Sequence, residues 1–157
     1  MIEQIYNYFT SEILYLWVNI GVLPFWFLII FFPKSNLCKY LATSIFPILL
    51  LSGTYIFVLY KAYLSSFDFT GNFSLYLGIN FTSNLFENDI YLLMFWIHFV
   101  SINLFVGGWI LKDAEKLVIN KILLAIPLVV TYFIGPLGIF IYWIIRIFYA
   151  KKLGLYD

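Results

Sequence analysis

Trp96-Ile97-His98-Phe99-Val100-Ser101-Ile102-Asn103-Leu104-Phe105-Val106-Gly107-Gly108-Trp109 is the stretch whose reading decides the fold. It lies inside an uncharged run, 90–111, that is long enough to cross a bilayer, and it puts the only histidine and an asparagine near the middle. A helix satisfies its own backbone at that depth, whereas polar side chains there find no water and persist where they pair or contact a substrate. His98 and Asn103 are therefore the first candidates for function.

Three further uncharged runs, 13–32, 41–60 and 122–145, share this character. At about 1.5 Å rise per residue each reaches roughly 30 to 36 Å, enough for the hydrocarbon core with some tilt. The nine Lys and Arg and eight Asp and Glu residues all fall outside the four runs, and charged residues make up 11% of the chain. A soluble domain carries about 25%. The expected fold is all-α: a polytopic membrane protein, a single domain over 1–157, built as a four-transmembrane-helix bundle.

Linkers 33–40 and 112–121 are short. The longer segment 61–89 carries Phe67, Phe69, Phe73, Tyr76, Phe81 and Phe86 and reads as an interfacial stretch on the bilayer surface. No Lys or Arg precedes the first run, so no cleavable leader is expected. Lys34, Lys39, Lys112, Lys116 and Lys121 on one side against Lys61, Arg146, Lys151 and Lys152 on the other favour the first group facing the cytoplasm.

The residue inventory narrows the chemistry. One histidine, one cysteine and no carboxylate within the runs cannot assemble a single-chain metal site, so no metal and no cofactor are expected. No lysine lies within a run to carry a Schiff base. A net charge of +1 without a dense basic block argues against nucleic acid as a partner. Membrane lipid is the expected surrounding, and nothing in the sequence excludes a homo-oligomer.

His98, Ser101, Ile102, Phe105 and Trp109 follow i, i+3, i+4, i+7, i+11 spacing and share one helix face. Asn103 lies about 140° round from His98 at 100° per residue, so the two face different neighbours. His98 can donate or accept a proton near neutral pH, or it can join helices by hydrogen bonding. In the last run Gly135-Pro136-Leu137-Gly138 predicts a kink, because Pro136 removes a donor and the glycines permit close approach by a helix or a ligand. Aromatic residues reach 23% and offer polarizable walls to a long flat hydrocarbon, with the hydroxyls of Tyr55 and Tyr132 placed to orient its oxygens.

Several of these pieces together resemble the neoxanthin-synthase-like (abscisic-acid-deficient-4-like) membrane proteins of plastids and bacteria. The resemblance rests on Trp96-Ile97-His98, Asn103-Leu104-Phe105-Val106-Gly107, Trp109-Ile110 followed by Asp113, and Gly135-Pro136-Leu137-Gly138 with Arg146. Leu23-Pro24-Phe25-Trp26 and Pro33 fit more loosely, and the similarity runs over about 17–146. It implies four membrane helices and, for plant members, a part in converting violaxanthin to neoxanthin, an isomerisation that opens an epoxide and removes a proton to leave an allene. That chemistry needs an acid at oxygen and a base at carbon. The chain departs from the family pattern at Asn103, usually aspartate, and at Gly108, often arginine in bacterial relatives.

The resulting expectation is a carotenoid- or isoprenoid-modifying isomerase of a bacterial inner membrane or plastid-type membrane. His98 is its candidate proton-transfer group. Asn103, Tyr55 and Tyr132 are expected to orient oxygens, Trp26, Phe105 and Trp109 to contact the polyene, and Gly135 and Pro136 to form a ligand notch. The alternative is a non-catalytic carotenoid-binding or assembly subunit.

Overall fold

A computed structural model of the chain describes residues 8–65 and 76–151, which include Tyr76, Phe81 and Phe86 of the segment 61–89 but not Phe67, Phe69 and Phe73. Helices account for most of these residues, and no strand occurs among them. In chain order they are α1 (Ser11–Phe31), a π-helical turn (Cys38–Ala42), α2 (Phe46–Leu64), α3 (Ile79–Phe86), α4 (Asp89–Lys116), α5 (Lys121–Phe133) and α6 (Gly135–Ala150). Among the described residues, three stretches are long and apolar enough to cross a membrane: Ser11–Phe31, Cys38–Leu64 and Asp89–Lys116.

The fourth run does not form the single helix expected over 122–145. It breaks at Ile134, which has extended-type angles of φ −140 and ψ 85, into two shorter helices of 13 and 16 residues. The cause lies in the sequence. Pro136 has no N–H for the carbonyl of Tyr132 and is pre-set for a first helical turn, where the structure places it. Gly138 then lies so close to α5 that an added Cβ would meet the Thr131 backbone nitrogen at 2.5 Å. In an unbroken helix those positions would be about 10 Å apart, so the chain folds sharply back at the break. The fourth apolar run is therefore present as two shorter apolar helices, Lys121–Phe133 and Gly135–Ala150.

Helix α4 runs five residues past its apolar stretch, because Lys112-Asp113-Ala114-Glu115-Lys116 is rich in strong helix formers and ends on a lysine suited to the C-terminal dipole. It ends at Lys116, and just beyond it Val118 takes a left-handed conformation with φ 54, after which the Ile119 N–H donates to the Ala114 carbonyl at 3.0 Å. Asn120 then caps α5, its Oδ1 accepting from the Ile122 N–H at 2.9 Å.

The chain divides into two compact units. The first comprises Met1–Gly21 and Leu49–Phe99. Its core joins Leu14 and Val18 of α1, Leu51, Val58 and Ala62 of α2, and Leu93, Met94 and Ile97 of α4. Trp96 Nε1 donates to Asn19 Oδ1 at 3.3 Å, and Lys61 Nζ donates to the Phe9 carbonyl at 2.5 Å. Helix α3 buries nothing fully, and Phe86 at its end packs edge-on against Tyr91 and Phe95.

The second unit comprises Val22–Ile48 and Val100–Asp157. Val22, Trp26 and Ile29 of α1, Leu104, Ile110 and Leu111 of α4, Leu124 and Leu128 of α5 and Tyr142 of α6 form its core. Outward residues of these helices, among them Leu23, Phe27, Phe105, Phe133 and Phe140, are equally apolar, as bilayer-facing surfaces are.

Candidate functional site

The second unit gives α4 two dissimilar sides. On one side Phe105, Gly108, Trp109 and Lys112, at i, i+3, i+4 and i+7, line a groove of about 490 Å³ together with Leu104 and, from the stretch 42–48, every residue but Phe46. This volume lies within the roughly 300 to 1,000 Å³ of small-molecule sites. Gly108 matters here because a Cβ built on it meets no atom within 4 Å. The polar lining is limited to Thr43, Ser44 and Lys112, and Lys112 forms an exposed pair with Glu115 at 3.3 Å.

The other side is filled. Gly107 receives the Trp26 ring so closely that a Cβ would lie 2.6 Å from Cη2. Trp26, 3% exposed, stacks edge-on against Tyr132 at 5.5 Å. Asn103 is buried against Gly135, its amide head occupying the space a side chain there would need. Its Nδ2 has no hydrogen-bond partner. Such a donor is costly when buried.

Toward the end of α4 stands a buried cluster that reading the sequence by apolar runs placed outside the spans. Asp113 Oδ2 accepts from the Tyr142 hydroxyl at 2.6 Å and from Arg146 Nε at 2.7 Å. Arg146 is 3% exposed and its guanidinium lies 5.1 Å from the Trp143 ring centre. Trp109 packs edge-on against Tyr142 at 5.8 Å, so the same indole faces the groove and abuts the cluster. The available signal was spacing: Asp113 follows Trp109 by one helical turn, and Arg146 follows Tyr142 likewise.

The proposed site residues are thus distributed unevenly. Phe105 and Trp109 line the groove, while on the filled side Trp26 meets Tyr132 and Asn103 meets Gly135, and Pro136 is exposed at the break. His98 and Tyr55 belong to the first unit. His98 is exposed on α4 and Tyr55 is half-buried on α2. That unit has its own cleft of about 450 Å³, lined by Ser11, Glu12, Tyr15, Asp89, Leu92, Leu93 and Trp96 and not by His98 or Tyr55.

Long apolar helices, a polar cluster held within helices and an apolar groove define a polytopic α-helical membrane protein. The chain belongs to the ABA DEFICIENT 4-like family, whose family model matches residues 13–142. The match takes in α4, the groove, Asp113 and Tyr142, and ends before Arg146. No curated protein and no solved structure matches the chain.

Proposed function

We propose that this protein takes a long apolar isoprenoid of the carotenoid class into the groove of its second unit and acts on it by isomerisation or rearrangement, through proton transfer without a redox cofactor. The observation that carries the ligand assignment is the groove itself, with Phe105, Trp109 and Leu104 along α4 and bare backbone at Gly108 between the two rings. Aromatic faces and missing side chains suit a flat conjugated chain. His98 belongs to the first unit and does not line the groove; it is the proposed proton-transfer group for an isoprenoid dissolved in the bilayer, since an imidazole can donate or accept a proton and this residue is exposed. Asn103, Tyr55 and Tyr132 are the proposed oxygen-orienting groups, although none of them lines the groove.

One observation favours a second reading, a carotenoid-binding or assembly subunit without catalysis. The groove lining contains no carboxylate and no imidazole, and the buried carboxylate of Asp113 is engaged by Tyr142 and Arg146. Pigment analysis of carotenoid-producing cells with and without the protein separates the readings. A new or missing carotenoid peak that reverts with His98→Gln supports catalysis, and unchanged pigments that co-purify with the protein support binding. An unchanged profile with a colourless purified protein rejects both.

A further inference from the structure

Helix α5 starts at Lys121, five residues beyond the end of α4, so a single helix over 121–146 would carry Arg146 roughly 37 Å from that end. Arg146 instead pairs at 2.7 Å with Asp113, eight residues before Lys121. At the other end of α6, Gly135 packs against Asn103. Ten residues separate Asn103 from Asp113 along α4 and eleven separate Gly135 from Arg146 along α6, roughly 15 to 17 Å in each case. Helix α6 thus runs beside α4 in the same direction, and α5 runs the opposite way. The 13 residues of α5 match the 13 positions from Asn103 to Lys116, so the bend at Ile134 reaches only the level of Asn103, the middle of α4. Lys112, Lys116, Lys121, Arg146 and Lys151 then share one end, the one-sided distribution that membrane insertion favours.

The bend also leaves polar groups without backbone partners. Among the described residues, the backbone bonds across it run from the Ile134 N–H to the Val130 carbonyl at 2.7 Å and from the Gly138 N–H to the Ile134 carbonyl at 3.0 Å. The carbonyls of Thr131, Tyr132 and Phe133 and the N–H groups of Gly135 and Leu137 take no part in them. Asn103, 5% exposed, turns its amide onto Gly135, and its Nδ2 has no partner. Helix α5 brings the negative end of its dipole to the bend and α6 the positive end, so neither an anion nor a cation is favoured there. A hydroxyl suits both ends, since it accepts and donates at once. We propose that α5 and α6 form a re-entrant hairpin, entering the bilayer and leaving it on the same side, and that its bend and Asn103 together bind one hydroxyl group, which accepts from Asn103 Nδ2 and donates to a free carbonyl at the end of α5. Broken helices build polar binding points of this kind inside membranes. The hydroxyl belongs to a buried water or to a ligand alcohol, and the assignment does not depend on what the groove holds.

The test has two arms, both on the full chain. In the first, Lys121→Cys and Lys151→Cys, both at exposed positions, are treated separately in intact cells with a membrane-impermeant maleimide and again after the membrane is opened. The two positions are expected to label alike before opening and fully after it. Labelling of one with protection of the other overturns the hairpin. The second arm compares water-resolving experimental structures of the parent and of Asn103→Leu, which removes the donor and keeps the volume. In the parent an oxygen is expected within about 3.2 Å of Asn103 Nδ2, and in the variant it should be lost while the hairpin is retained. Isolated density identifies a water, and density continuous with a longer molecule identifies a ligand hydroxyl. An empty position, a protein group or an ion bonded to Nδ2, or an oxygen that persists in the variant overturns the site, and the labelling then decides the hairpin by itself.

Discussion

The two sides of α4 in the second unit use similar residues to different ends. On the filled side, small residues are met by large or polar ones from the same unit: Gly107 by Trp26, Gly135 by Asn103, and Gly138 by the Thr131 backbone. On the groove side Gly108 meets nothing, and Phe105 is 63% exposed. A glycine in an apolar helix thus does not by itself mark close approach, and only its neighbours distinguish a packed seam from an open surface. Two buried polar groups of α4 differ in the same way. Asp113 has two donors within 2.7 Å, whereas the Asn103 amide keeps an unmet donor.

The largest expected effect separates structure from ligand binding. Asp113→Ala leaves Arg146 buried without its carboxylate and should cost about 3 to 5 kcal/mol. Thermal unfolding in detergent and membrane accumulation measure this loss. Replacing both partners, Asp113→Leu with Arg146→Met, should restore most of the stability, because an apolar pair of similar volume avoids the desolvation of two charges. If the double variant stays as unstable as the single one, the cluster does more than hold helices together.

Next in size is Gly107→Ala. The added methyl collides with the Trp26 ring and should destabilise by about 1 to 3 kcal/mol, while Gly108→Ala should not destabilise at all. Equal unfolding temperatures for the two alanine variants would abolish the contrast between the sides of α4.

Most of the helical content was legible because charge exclusion and span length are direct physical demands of a bilayer, and they located α1, α2 and α4 to within a few residues except at the start of α2 and the end of α4. What escaped came from applying the same rule too literally. Cutting each span at its first charge removed Asp113 and Arg146 from the interior, although each can be buried once the other neutralises it. Counting apolar residues also joined 122–145 into one span, although Gly135-Pro136 already carried the signal for a break. Of the candidate site, Phe105 and Trp109 were legible from helical spacing. The stretch from Ala42 to Ile48 that completes the groove was not, because its π-helical turn and the Thr43 to Ile45 bend carry no pattern tied to α4.

A smaller effect is expected at Asn103. Asn103→Leu keeps the volume and removes the unmet donor, so stability should stay within about 1 kcal/mol of the parent. A fall in pigment conversion or retention at unchanged stability would then assign the amide to the ligand. Unchanged pigment behaviour would leave it as packing against Gly135.

The smallest effect on stability belongs to His98. The residue is exposed, so His98→Gln and His98→Ala should each shift stability by no more than about 0.5 kcal/mol. Both should nevertheless lose conversion if the imidazole transfers the proton. Full conversion by the glutamine variant would remove His98 from the chemistry.

The central claim is that the groove holds a carotenoid-class isoprenoid, and the most direct measurement is the pigment bound to the purified full chain from a carotenoid-producing host. An absorbing pigment at near-stoichiometric amount, displaced when Gly108 is replaced by a larger residue, is the predicted result. A colourless protein from pigmented membranes, with the parent and Gly108 variants indistinguishable, would contradict it.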